Sequence, residues 1–184
     1  MRKIGIIAVL SLLVTALTAI PALAATVIND ANAPSGAHFQ TGTATCTLTN
    51  NVVNCSSYEL AGVGNADAEA TLAANYEATV DCRNRGGNIV EVKAQVEGVE
   101  ASTGQIESKN GRLLVPALTS APAPTAAQFE ALATCPNGNW TKITRTGTIT
   151  LTSFTYELTF VDKVTGDPLF PGAFITITGP DPVA

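Results

Sequence analysis

Thirteen consecutive residues, Ala70 to Cys82, alternate without interruption between two kinds of side chain. Even positions hold Ala70, Leu72, Ala74, Tyr76, Ala78, Val80 and Cys82; odd positions hold Thr71, Ala73, Asn75, Glu77, Thr79 and Asp81. A helix, with about 3.6 residues per turn, would scatter the apolar groups around its circumference. A strand sends every second side chain to one face. The segment therefore reads as a long strand with one dry and one wet face, and the dry face needs a second layer to cover it. Arg83-Asn84-Arg85-Gly86-Gly87-Asn88 reads as a turn. Ile89 to Val99 then resumes the alternation, with Val90, Val92, Ala94 and Val96 expected inward and Glu91, Lys93, Gln95 and Glu97 outward. The two runs predict a hairpin.

Nearer the C-terminus, Ile143, Ile149 and Leu151 occupy odd positions, whereas Phe154, Tyr156, Leu158 and Phe160 occupy even ones. A one-residue slip at Thr152-Ser153 would turn every later side chain to the opposite face, so a bulge or bend is expected there. Asp162 to Pro171 is turn-rich, and Ala173, Ile175 and Ile177 suggest a last short strand. Shorter strands are expected at 43–49, 52–56, 58–63 and 105–115. The total of eight or nine predicts an all-β chain folded as an antiparallel β-sandwich, immunoglobulin-like in character. Twenty-three threonines beyond residue 24 agree with this, since β-branched side chains favour pleated strands. Pro116 to Pro124 reads as extended loop. Thr125-Ala126-Ala127-Gln128 resembles a capping box ahead of Phe129 and Leu132, so one short helix is expected near 126–133.

The N-terminus carries the marks of an export signal. Arg2 and Lys3 precede an uncharged apolar stretch, Ile4 to Ile20; Pro21 breaks it, and Ala22-Leu23-Ala24 offers a small-x-small cleavage motif before Ala25. The stretch is slightly short for a membrane span, which needs about 20 apolar residues. The expected organisation is a signal peptide at 1–24, an N-terminal arm at 25–42 and one sandwich domain at 43–184. No second long apolar run occurs, and 179–184 is too short and polar for an anchoring tail, so the mature protein is expected to be secreted without a membrane span. Loss of Arg2 and Lys3 leaves eight basic residues against fifteen acidic ones, a formal charge of −7. That balance argues against nucleic-acid partners, which demand clustered Lys and Arg.

Four cysteines permit three pairings. Export favours disulfides, and the spacings match no zinc pattern, which prefers closely spaced pairs. If Asn50-Asn51 form a two-residue primed turn, Thr49 pairs with Val52, Leu48 with Val53, Thr47 with Asn54, and Cys46 with Cys55. The two sulfurs then meet at a non-hydrogen-bonded site, where Cα atoms approach to about 4.5 Å. By elimination Cys82 pairs with Cys135, and since Cys82 ends the dry face of the long strand its sulfur is expected to be buried.

Around these cysteines lie three phrases: Cys82-Arg83-Asn84-Arg85-Gly86-Gly87-Asn88, Lys109-Asn110-Gly111-Arg112-Leu113 and Cys135-Pro136-Asn137-Gly138-Asn139-Trp140. Their order resembles a functionally uncharacterised group of small secreted proteins of actinomycete-type bacteria, with a C-x-N-x-G-G-N turn, an N-G turn and a C-P-N-x-N-W-T segment. The resemblance spans the C-terminal two-thirds of the mature chain. It implies a disulfide-bonded β-sandwich and carries no activity and no functional residues.

Little else points to chemistry. His38 is the only histidine, and no Gly-x-Ser-x-Gly, Ser-x-x-Lys or His-Glu-x-x-His pattern occurs. No catalytic residue and no cofactor is assigned. Asn65, Asp67 and Glu69, at alternate positions of the glycine-flanked Gly62–Glu69 segment, could offer oxygens to Ca²⁺; the plainer reading is a solvated turn leading into the long strand. Trp140 reads as core shielding the nearby disulfide. A weaker alternative makes Trp140, Tyr58 and Tyr156 an exposed row for stacking sugars. Asn54-Cys55-Ser56 and Asn139-Trp140-Thr141 match the N-glycosylation pattern. The expectation is a secreted, non-catalytic protein with an interaction or structural role toward an extracellular or cell-surface partner. Its alternative is a glycan- or small-ligand-binding module, and less favoured still is an extracellular hydrolase.

Overall fold

A computed structural model describes residues 24–179. The expected export signal, apart from Ala24, and the tail 180–184 lie outside the described residues. Among the described residues the chain is all-β apart from one α-helix and a single 3-10 turn at Asp30–Asn32, and its antiparallel sheets pack as a β-sandwich.

The long alternating segment is the spine. Strand β6 runs Asp67–Arg83, and its even-numbered side chains from Ala68 to Cys82 are all buried. It lies in a six-stranded sheet that also contains β1 (Ala25–Ile28), β7 (Ile89–Ile106), β10 (Thr141–Thr144), β11 (Thr150–Val161) and β12 (Ile175–Gly179). Along one side, β6 pairs with β11 over Asp67–Glu77 and with β10 over Val80–Arg83; β7 covers its other side. Two three-stranded sheets complete the sandwich. One joins β2 (His38–Thr41), β5 (Tyr58–Ala61) and β8 (Arg112–Val115); the other joins β3 (Cys46–Thr49), β4 (Val52–Cys55) and β9 (Leu118–Thr119). Val53, Leu60, Leu113 and Val115 from these sheets share one core with Leu72, Tyr76, Phe154, Leu158 and Ile177 of the large sheet. The β6 contribution is rich in alanine, which lets the layers approach closely and leaves the bulk to be supplied by aromatic and leucine side chains opposite.

The expected slip in the second long strand is present: the β11–β6 register shifts between Leu151 and Ser153, so Leu151 and Phe154 are both buried although their parity differs. The β3–β4 hairpin has the register read from the sequence, with Asn50 and Asn51 at φ 51° and 62°. Cys46 and Cys55 are bridged with Cα atoms 4.0 Å apart, somewhat closer than the expected spacing. Cys82 and Cys135 form the second bridge, their Cα atoms 5.7 Å apart. Helix α1 (Ala126–Leu132) starts at Thr125, whose backbone N–H donates to the Gln128 side-chain oxygen at 2.8 Å. Phe129 is buried beneath it.

Four expectations are corrected. Strand β7 is one element to Ile106 rather than ending at Val99, because Gly98 and Gly104, at φ 66° and 64°, absorb two bulges opposite β6 that would otherwise break the pairing. Its inward face is only partly covered: Ala94 is buried, Val92 and Val96 are half-buried, and Val90 is 39% exposed, since this edge strand extends past the second layer. The segment expected as a strand at 105–115 is instead the end of β7, a turn at Asn110-Gly111, and β8. Residues 25–42, read as an arm, supply β1 to the large sheet and β2 to the opposite layer, which with β9 raises the count to twelve strands among the described residues.

Candidate functional site

The Cys82–Cys135 bridge fastens the end of β6 to the loop between α1 and β10. Two turns emerge beside it. In the first, Asn84 accepts from Gly87 N–H through its carbonyl (3.1 Å) and from Asn88 N–H through its side-chain oxygen (2.9 Å). In the second, the Asn137 side-chain oxygen accepts from Asn139 N–H (2.9 Å) and its carbonyl from Trp140 N–H (3.1 Å). Each turn is thus closed by an asparagine folding onto its own backbone, and both are stitched to the same strand end by sulfur. Between them is an open cleft of about 450 Å³ lined by Asn84, Arg85, Gly86, Asn137, Asn139 and Trp140.

Trp140 is half-buried and lines this cleft, so it is not the core residue expected. Among the described residues, the Asn84 and Asn137 side-chain N–H groups, the Arg85 guanidinium and the Trp140 indole N–H make no hydrogen bond within the protein. The cleft brings together two of the three sequence phrases; the third, around Asn110-Gly111, forms the tight turn between β7 and β8, where Lys109 and Arg112 exchange backbone hydrogen bonds.

The tyrosine row is overturned. Tyr58 and Tyr156 are 3% and 1% exposed, and their hydroxyl oxygens meet at 2.9 Å inside the sandwich. Burial raises both phenol pKa values, that of Tyr58 further through its Tyr156 neighbour. An exposed row runs against the alternation itself, which sets Tyr156 on one face with Phe154, Leu158 and Phe160 and Tyr58 on one face with Leu60. His38 is exposed on β2, its Nδ1 2.8 Å from the Gly36 carbonyl oxygen.

The candidate Ca²⁺ segment is not a solvated turn at its centre. Asp67 is buried, and its oxygens accept from Ser108 N–H (2.8 Å), Ser108 Oγ (3.2 Å) and Gln105 Nε2 (2.9 Å). Burial by itself would raise the Asp67 carboxyl, but these donors, with Lys163 nearby, outweigh it and hold the group below its ordinary value. Glu69 instead accepts from Ser102 Oγ, and Asn65 is exposed, so the three side chains do not converge. Among the described residues no group of three His, Cys, Asp or Glu is placed to hold a metal ion. Of the two glycosylation motifs, Asn54 lies in β4, accepting from Thr119 Oγ1, while Asn139 is exposed at the cleft.

The two disulfides are compatible with an extracellular disulfide-bonded β protein; among the described residues no helix is long and apolar enough to cross a membrane. Compared with family models, curated proteins and solved structures, the chain matches none.

Proposed function

We propose that the protein is a secreted, non-catalytic β-sandwich that acts by binding an extracellular or cell-surface partner through the end of its long hairpin. The observation that carries this reading is the bridged pair of turns. A disulfide and four hydrogen bonds fix the two turns, with Asn84 and Asn137 held in them, and these turns carry Arg85, Asn139 and Trp140 to the rim of one open cleft. Fixing the groups before binding reduces the entropy lost on association, and an indole beside amide side chains suits a partner with both apolar faces and hydroxyl groups. A glycan fits that description, so the glycan-binding reading survives at Trp140 although the tyrosine row does not.

The test is capture. The purified, oxidised protein and its Trp140→Ala variant are immobilised and exposed to cell-envelope fractions and culture supernatant of the producing cells. Saturable retention of a defined component by the wild type, lost in the variant, supports the reading. Equal retention by both, or by neither, removes the cleft as the binding surface.

A further inference from the structure

The charge around the cleft runs against that of the molecule. The whole chain has fifteen acidic residues and ten basic ones. Yet the two segments that build the cleft, residues 82–90 and 131–142, contain Arg83, Arg85 and Lys142 and no acid; the acids directly beyond them are Asp81, Glu91 and Glu130, the last accepting from Thr144 N–H (2.8 Å). The nearest acidic side chains on the hairpin are already engaged: Arg145 bonds Asp81 at 2.8 Å and Glu91 at 2.6 Å. Arg83, Arg85 and Lys142 form no ion pair among the described residues. Asn84 and Asn137 use their side-chain oxygens to close their own turns, which leaves their N–H donors for a ligand. Gly86 adds a stretch of cleft wall without a side chain.

We infer that the cleft binds a saccharide bearing a carboxylate, with a sugar ring on Trp140, the carboxylate on Arg85, and hydroxyl groups on the amides of Asn84, Asn137 and Asn139. This inference rests on the cleft being the binding surface and adds the chemical class of what enters it. A guanidinium matches a carboxylate with two parallel donors. Indole faces accept the apolar face of a pyranose, and asparagine N–H groups suit acceptor oxygens.

Trp140 is the only tryptophan, so its intrinsic fluorescence reports the cleft directly. The purified, oxidised protein is titrated with a short oligogalacturonate, a hyaluronan fragment and a soluble muramic-acid-containing glycan, each beside its methyl-esterified form. The expected result is a saturable change in Trp140 fluorescence with at least one acidic glycan. Esterification or Arg85→Gln should weaken it by roughly tenfold, the loss of one charge-assisted contact, with the melting temperature unchanged. Equal binding of acid and ester would overturn the carboxylate assignment. So would an unchanged signal with all three acids, even where the envelope capture above remains Trp140-dependent. In that case the interaction reading stands and the ligand class falls. Loss of Trp140 dependence in the capture removes both.

Discussion

The phenol oxygens of Tyr58 and Tyr156 lie 2.9 Å apart, one from each layer of the sandwich, and form a polar link between the layers. The layers are also joined by packing and by Asn51 of the β3–β4 turn, whose side chain donates to the Ile149 carbonyl (2.9 Å) and accepts from Leu151 N–H (3.2 Å); neither disulfide joins them, since one bridge lies within the β3–β4 hairpin and the other ties β6 to the loop before β10. Removing one hydroxyl strands the other. Tyr58→Phe or Tyr156→Phe should each cost about 1–3 kcal/mol, while the double replacement should cost less than the sum of the two. A double-mutant cycle from urea denaturation gives the coupling.

The same pair sets an alkaline limit. Both folded pKa values are raised, and the unfolded chain ionises its tyrosines near pH 10. Below that value both states are protonated and the contribution is complete; above it the unfolded state releases protons first, so stability falls as pH rises. Tyrosinate absorbance from these two residues should emerge only with unfolding. The Tyr58→Phe/Tyr156→Phe protein should show a shallower alkaline decline, measured as denaturation midpoint against pH.

Asp67 works at the opposite end of the scale. Its folded pKa is depressed, so its contribution is present above about pH 4, the ordinary carboxylate value, and is lost as pH falls through the folded pKa. Asp67→Asn should flatten the acid limb of the stability profile. Asp67→Ala should cost about 1–3 kcal/mol at neutral pH by leaving the Ser108 N–H unpaired.

Two glycines separate backbone conformation from crowding. At Gly62, φ is 74° and an added Cβ would fall 2.0 Å from the Gly36 carbonyl oxygen; at Gly87, φ is 85° with nothing within 4 Å. Gly87→Ala should therefore cost only the left-handed strain, about 1–2 kcal/mol. Gly62→Ala must also displace the loop before β2 and should cost more than about 3 kcal/mol. Thermal denaturation of the pair checks the order.

The bridges differ in the length of chain they close. Cys46 and Cys55 are nine positions apart, Cys82 and Cys135 fifty-three. Chain entropy gives about 3 kcal/mol for the first and about 4 kcal/mol for the second. Replacing each pair by serine should reproduce that ranking in denaturant. The second replacement should also loosen the cleft, read as faster hydrogen exchange at Asn88 and Trp140 while Val80 stays protected.

What was legible from the residues alone was local in its physics. Period-two alternation identified β6, a parity change located the bulge at Thr152-Ser153, paired asparagines set the β3–β4 register and with it the cysteine pairing, and Thr125 with Gln128 marked the start of α1. Each depends on neighbours a few residues away. Which face of a strand is covered, and how far, depends on where the second layer stops. For that reason Val90 was left partly exposed, and residues 25–42 became sheet. The cleft belongs to the same category: its two turns are some fifty residues apart in the chain, and only the folded path of β6, α1 and β10 sets Arg85 and Trp140 along one cleft.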